Sequence, residues 1–148
     1  MTNSPKQFTL KQIGTIRASE GSFSLHLDEE YISALKELDG FAYVNVLWWA
    51  HHVDSDEARA VTVCDRPYKT APEKMGIFAT RSPVRPNPIA LTPVAVLHID
   101  HEKGVIQVPF MDAEDGTPLL DIKPYHPAVD RIREAAVPSW CEHWPKYY

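Results

Sequence analysis

Three prolines within six residues, Pro83, Pro86 and Pro88, constrain this chain more than any other feature. Each proline locks its own φ and lacks an amide donor. The segment Phe78-Ala79-Thr80-Arg81-Ser82-Pro83-Val84-Arg85-Pro86-Asn87-Pro88 therefore cannot continue a central strand, and it loses little entropy on being ordered. It holds Arg81 and Arg85 in a stiff loop. Guanidinium groups are forked donors matched to carboxylate or phosphate, so two of them on a rigid segment suggest an anion site. The same residues suit a rigid turn whose arginines pair with the chain's own carboxylates.

Around this loop the chain reads mainly as strands. Phe8 to Arg17 has apolar positions at Phe8, Leu10, Ile13 and Ile16, and Phe23-Ser24-Leu25-His26-Leu27 alternates at period two. Phe41 to Ala50 is a continuous apolar run of strand length, expected to be buried on both faces. Ala60–Cys64, Met75–Ala79, Ile89–Ile99 and Val105–Phe110 complete the set, with 100–104 as a hairpin connection. Pro93 inside the Ile89–Ile99 run places that strand at an edge or a bulge. Asp28 reads as the N-cap of a helix carrying Ile32, Leu35 and Leu38, which stops at Gly40. A second short helix is expected over Asp130–Ala136, followed by Trp140, Trp144, Tyr147 and Tyr148, which would cap the core or an interface. Many strands against one or two short helices give a mostly-β barrel or sandwich. With 148 residues, no repeat and no linker, one domain over residues 1–148 is the expectation.

The two cysteines, Cys64 and Cys141, form no CxxC pair. No apolar run reaches the roughly 20 residues of a membrane span. The polar Met1–Gln7 start is unlike a signal peptide, and a cytoplasmic setting is expected. The net charge of −5 argues against a general nucleic-acid coat. The charge is uneven, however. Asp65 to Arg85 holds five basic residues against two acidic ones, a local cationic stretch on an acidic body.

Two further stretches bear chemistry. In Asp115-Gly116-Thr117-Pro118-Leu119-Leu120-Asp121-Ile122-Lys123-Pro124-Tyr125, a turn signal precedes a return to the core. Extended backbone would put Asp121, Lys123 and Tyr125 on one side, which equally describes the wet face of an edge strand. In Trp48-Trp49-Ala50-His51-His52-Val53-Asp54, a strand would point His51 and His52 to opposite faces, so no metal is expected there. Dinucleotide, phosphate-loop and nucleophile-elbow motifs are missing from the chain.

Taken together, these segments resemble the TsaA-like family. The likeness runs through Ile13-Gly14-Thr15-Ile16-Arg17, Leu38-Asp39-Gly40-Phe41 and the Trp-rich strand ending at His51. It is strongest in Gly76–Pro83 with Arg85–Ile89, and continues through Asp115–Pro118 and Asp121–Tyr125. The resemblance implies a β-barrel that dimerises and binds S-adenosylmethionine, and an enzyme that transfers its methyl group. The implied acceptor is the exocyclic amine of threonylcarbamoyl-modified adenosine beside the tRNA anticodon.

Carried over by motif, the cofactor-binding positions are His51, His52, Arg81, Leu91, Asp115, Gly116, Thr117 and Pro118. Asp121, Lys123 and Tyr125 are the implied catalytic group, with Arg85 and Asn87 toward the acceptor. Two departures bear on tRNA more than on the cofactor. Where the family's tRNA enzymes often carry Pro-Arg-Gln, this chain has Ser19-Glu20-Gly21-Ser22; its longer members also continue into a further domain beyond the barrel. Methylation of a small molecule, or a non-enzymatic S-adenosylmethionine sensor, therefore stand as alternatives.

Overall fold

The computed structural model describes residues 4–148, so part of the Met1–Gln7 reading lies outside the described residues. The strands are β1 (Gly14–Ser19), β2 (Ser22–Leu27), β3 (Tyr43–Trp49), β4 (Val63–Asp65), β5 (Lys74–Gly76), β6 (Ile89–Ala95), β7 (His98–Asp100), β8 (Val105–Val108) and β9 (Thr117–Pro124). Two single-turn helices, α1 (Asp56–Arg59) and α2 (Pro127–Asp130), accompany them. Seven strands form one antiparallel sheet in the order β6-β3-β9-β1-β2-β8-β7, and β4 with β5 makes a separate pair. The mostly-β expectation is met.

One face of the sheet is the core. Ile16, Leu25, Val44, Val46, Ile106 and Leu119 are fully buried. Side chains from both ends of the sheet, Val94 of β6 and Ile99 of β7, enter the same cluster, so the sheet curls around it. Each such aliphatic side chain contributes about 1.5–3 kcal/mol by leaving water. The barrel, however, does not close. No ladder joins β6 to β7, although only Val96 and Leu97 separate them in sequence. At that corner the Val96 amide donates to Ala42 O and the Leu97 amide to Gln107 O, which pins the two ends together at a single point.

Several local expectations are corrected. Phe8 to Ile13 is not strand; β1 begins at Gly14. There a β-carbon would sit 2.0 Å from His26 O, so only glycine lets β2 approach. The Asp28 helix is instead a 3-10 helix over Glu29–Leu35, and the Asp28 side chain makes no capping hydrogen bond. Leu38 begins a separate 3-10 turn that ends at Gly40, and the every-third spacing of Ile32, Leu35 and Leu38 is compatible with either kind of helix. Met75–Ala79 is strand only to Gly76 and then turns. The last short helix lies at α2, not over Asp130–Ala136.

β3 buries Val44, Val46 and Trp48 and leaves the alternate side chains half-covered or exposed, so it is not buried on both faces. Pro93 does lie on an edge, because β6 pairs with β3 alone. The segment read as a possible edge strand is β9. Its Thr117, Pro118 and Leu119 pair with β1, but Asp121, Ile122, Lys123 and Pro124 pair with β3 alone, so the stretch carrying Asp121 and Lys123 does lie at an edge.

Candidate functional site

The end of β3, the start of β6 and the connection from β8 to β9 meet at one end of the sheet. Beyond Trp49 the chain leaves the ladder in a 3-10 turn, His51–Val53. The turn brings the rings of His51 and His52 side by side, with centroids 3.9 Å apart, rather than on opposite faces. His52 Nε2 lies 3.0 Å from a carboxylate oxygen of Glu114. Glu114 also heads the turn into β9: the Gly116 amide donates to Ile16 O, and the buried Thr117 hydroxyl donates to Glu114 O at 2.6 Å. Gly116 has φ of +85°, a conformation that favours glycine. Asp115 accepts from the Ala18 amide at 3.0 Å and faces Arg17, which ties the turn to β1.

Two residues before Glu114, Asp112 enters a cleft of about 610 Å³ whose walls also carry Trp48, Arg81, Arg85, Leu91 and Phe110; His51, His52 and the Asp115–Pro118 turn do not line it. Arg81 donates one guanidinium N–H to Leu91 O, 3.0 Å away on the open side of the edge strand β6. Arg85 behaves differently. Its Nη1 donates to the carbonyls of Thr80 and Ser82, both at 3.0 Å, so the loop's own backbone occupies part of its fork. Of the cationic stretch, Lys74 is paired with Asp65.

Asn87 lies outside this cleft. It lines a neighbouring groove of about 870 Å³ with Phe8, Leu10, Trp49, Pro118 and Leu120. On the floor of that region Arg59 donates to Asp54 Oδ1 at 2.6 Å and to Pro86 O at 3.3 Å, and lies over the Trp49 ring. The Arg59 guanidinium, hydrogen-bonded to Asp54, holds that carboxyl below the usual carboxylate range, with help from the Trp49 N–H.

Asp121, Lys123 and Tyr125 do not line the Arg81 cleft. Asp121 and Lys123 pair at 3.3 Å, while the Tyr125 ring meets Tyr43 edge-on, with centroids 6.4 Å apart. A bulge in β9 sets their placement: Leu47 faces Asp121, but Trp48 already faces Leu119. Leu47 also faces Leu91 across β6. Leu91 and Asp121 are thus in one row of the outer face, two strands and about 10 Å apart.

Thus His51, His52 and the Asp115–Pro118 turn come together through Glu114, Arg81 and Leu91 hydrogen-bond to each other, and the catalytic group stands apart. Sequence reasoning missed Glu114, Asp112 and Arg59. Glu114 adjoins a recognised motif, but nothing local marks the other two. Among the described residues, no group of three or more His, Cys, Asp or Glu is placed to hold a metal ion.

Comparison with known proteins gives this arrangement a context. The family model for the tRNA-methyltransferase O N-terminal domain matches residues 3–131. An S-adenosyl-L-methionine-binding protein of Archaeoglobus fulgidus is 35% identical over 118 residues, covering 80% of this chain and 79% of that protein. A probable S-adenosyl-L-methionine-binding protein of Methanothermobacter thermautotrophicus is 31% identical, covering 87% of this chain and 98% of its own length. The tRNA (adenine(37)-N6)-methyltransferase of Escherichia coli is 30% identical over 85% of this chain, which spans 54% of that enzyme. The crystal structure of TrmO from Pseudomonas aeruginosa superposes with a TM-score of 0.69 at 25% identity, over 90% of this chain and 61% of that one. The chain therefore belongs to the family of the tRNA-methyltransferase O N-terminal domain, and shares its fold.

Proposed function

We propose that this protein is an S-adenosylmethionine-dependent methyltransferase whose acceptor is the exocyclic amine of threonylcarbamoyl-modified adenosine beside the tRNA anticodon. The observation that carries the reading is the contact of His52 with Glu114, which joins His51 and His52 to the Asp115–Pro118 turn, while Asp112, two residues before Glu114, enters the Arg81–Leu91 cleft. The residues present fit the cofactor. A cleft of about 610 Å³ lies in the usual range for small-molecule sites, roughly 300–1,000 Å³. It offers a guanidinium for the methionine carboxylate and the Leu91 side chain for adenine.

When bound, the cofactor supplies an electrophilic methyl group on a sulfonium. The protein's share is alignment, since holding donor and acceptor in line accounts for much of such a barrier. Arg81 holds the carboxylate, and Asp115 offsets positive charge. On the outer face Asp121 or Tyr125 receives the amine's proton or orients the amine, and Lys123 meets the acceptor's carboxylate or a phosphate. Arg85 and Asn87 face the acceptor from the proline loop. A homodimer and a single cytoplasmic domain over residues 1–148 belong to the same proposal.

Calorimetric titration with S-adenosylmethionine tests the cofactor, and transfer of a labelled methyl group to tRNA tests the acceptor. Saturable binding that Arg81→Ala loses, followed by transfer to tRNA, is the expected result. No binding by the intact protein would sink the reading. A second reading, a small-molecule acceptor, is favoured by the net charge of −5. It predicts methyl transfer without tRNA binding, whereas tRNA binding should weaken steeply with salt. Cofactor binding without transfer to any cell fraction would leave the sensor.

A further inference from the structure

Asp112 stands in the Arg81 cleft with one oxygen committed and one open. The chain bends at Asp112, which is exposed between the buried Met111 and Ala113, at 2% and 7% exposure. A hydrogen-bonded relay fixes its direction. The indole Nε1 of Trp48 donates to Thr92 Oγ1 at 3.0 Å, and Thr92 Oγ1 lies 2.7 Å from Asp112 Oδ1. An indole N–H can only donate, so the Thr92 hydroxyl accepts it and must direct its own proton at the carboxylate. Trp48 and Thr92 are 9% and 5% exposed, which makes the relay a rigid support. The second carboxylate oxygen of Asp112 has no partner among the described residues.

The cleft thus carries both a fixed negative group and the positive group of Arg81, with apolar and aromatic walls from Leu91, Trp48 and Phe110. A site with one carboxylate and one guanidinium matches the two ends of an α-amino acid. Resting on the cofactor reading above, we propose that Asp112 is a further binding residue, which recognises the α-ammonium of the methionine moiety while Arg81 takes its carboxylate. Thr92 is its positioning residue. The sulfonium is not the target of Asp112, so affinity through this residue is the same before and after the methyl group has left.

Calorimetric binding of three ligands to the intact protein separates the possibilities: S-adenosylmethionine, S-adenosylhomocysteine and 5′-methylthioadenosine, which lacks the amino-acid portion. In Asp112→Asn, which keeps the acceptor for Thr92 but not the charge, affinity for the first two falls about tenfold, the size expected of one charge-assisted hydrogen bond. Binding of 5′-methylthioadenosine is unchanged. Thr92→Val shows a smaller loss on the same two ligands, and Thr92→Ser restores it. A loss confined to S-adenosylmethionine would assign Asp112 to the sulfonium, and equal losses on all three would assign it to the fold; either overturns the inference. Unchanged binding overturns it as well. Wild-type protein that binds none of the three removes the cofactor reading itself, a result distinct from a wild type that binds and a variant that binds equally.

Discussion

His52 and Glu114 meet at 3.0 Å, joining the turn after β3 to the turn before β9. Both side chains are largely exposed, at 60% and 77%, so their pairing contributes little to stability. Its value is in the relative placement of two segments. Glu114→Ala is expected to leave the thermal midpoint unchanged within error while weakening S-adenosylmethionine several-fold in calorimetry. A variant that binds as the wild type does would show that the two turns hold their places independently.

The two arginines of the proline loop should separate cleanly. Arg85 ties the carbonyls of Thr80 and Ser82 together, whereas the single bond of Arg81 reaches across to Leu91 O. Arg85→Ala should therefore cost about 1–3 kcal/mol in denaturant unfolding, the range for hydrogen bonds made by a charged group. Arg81→Ala should cost less than that and remove ligand binding. The reverse pattern would place the anion site at Arg85.

Asp54 gives a pH dependence with a definite sign. Its carboxyl titrates below its ordinary value of 3.8, chiefly because it accepts from Arg59. The pair therefore contributes its full stabilisation above pH 3.8, and loses it as pH falls from there through the lower folded value. Asp54→Asn should be less stable than wild type at neutral pH, with the gap narrowing only below that point. A gap that instead varies between pH 6 and 8 would point to a histidine rather than to Asp54.

Gly14 and Gly116 should differ in what alanine does to them. At Gly14 the added carbon meets His26 O at 2.0 Å, so β1 and β2 must part. A loss of about 3 kcal/mol, as in severe overpacking, is expected. At Gly116 nothing lies within 4 Å, and only the positive φ opposes the substitution, at a cost of about 1–2 kcal/mol. Urea denaturation of both variants checks the order, and equal losses would contradict it.

How much of this was legible beforehand depended on distance along the chain. The alternation of Phe23 to Leu27 sufficed for β2, and Pro93 narrowed its strand to an edge or a bulge, of which the structure shows the edge. The spacing of Ile32, Leu35 and Leu38 was visible, but every-third spacing fits a 3-10 helix as well as it fits the tight face of an α-helix. The bulge at Leu120 left no local trace, whereas the polar Asp121 and Lys123 did mark the part of β9 that pairs on one side only. The partnerships of Trp48 with Thr92, Thr92 with Asp112 and Arg59 with Pro86 join residues 20 to 44 positions apart and exist only once the chain has folded. Motif resemblance singled out Arg81 and Leu91, yet it carried no signal for Asp112, which lines the same cleft.

The unclosed seam beside β6 has a consequence for how these molecules behave when crowded together. A bare strand edge is a template on which another chain can build, and aggregation commonly begins there. Along β6, Pro93 has no amide to offer an incoming strand, and the guanidinium of Arg81 already sits on the carbonyl of Leu91. The residue proposed to grip the ligand is thus also a stopper on the open edge. A change that silenced binding at Arg81 would uncover a docking point for misassembly at the same time.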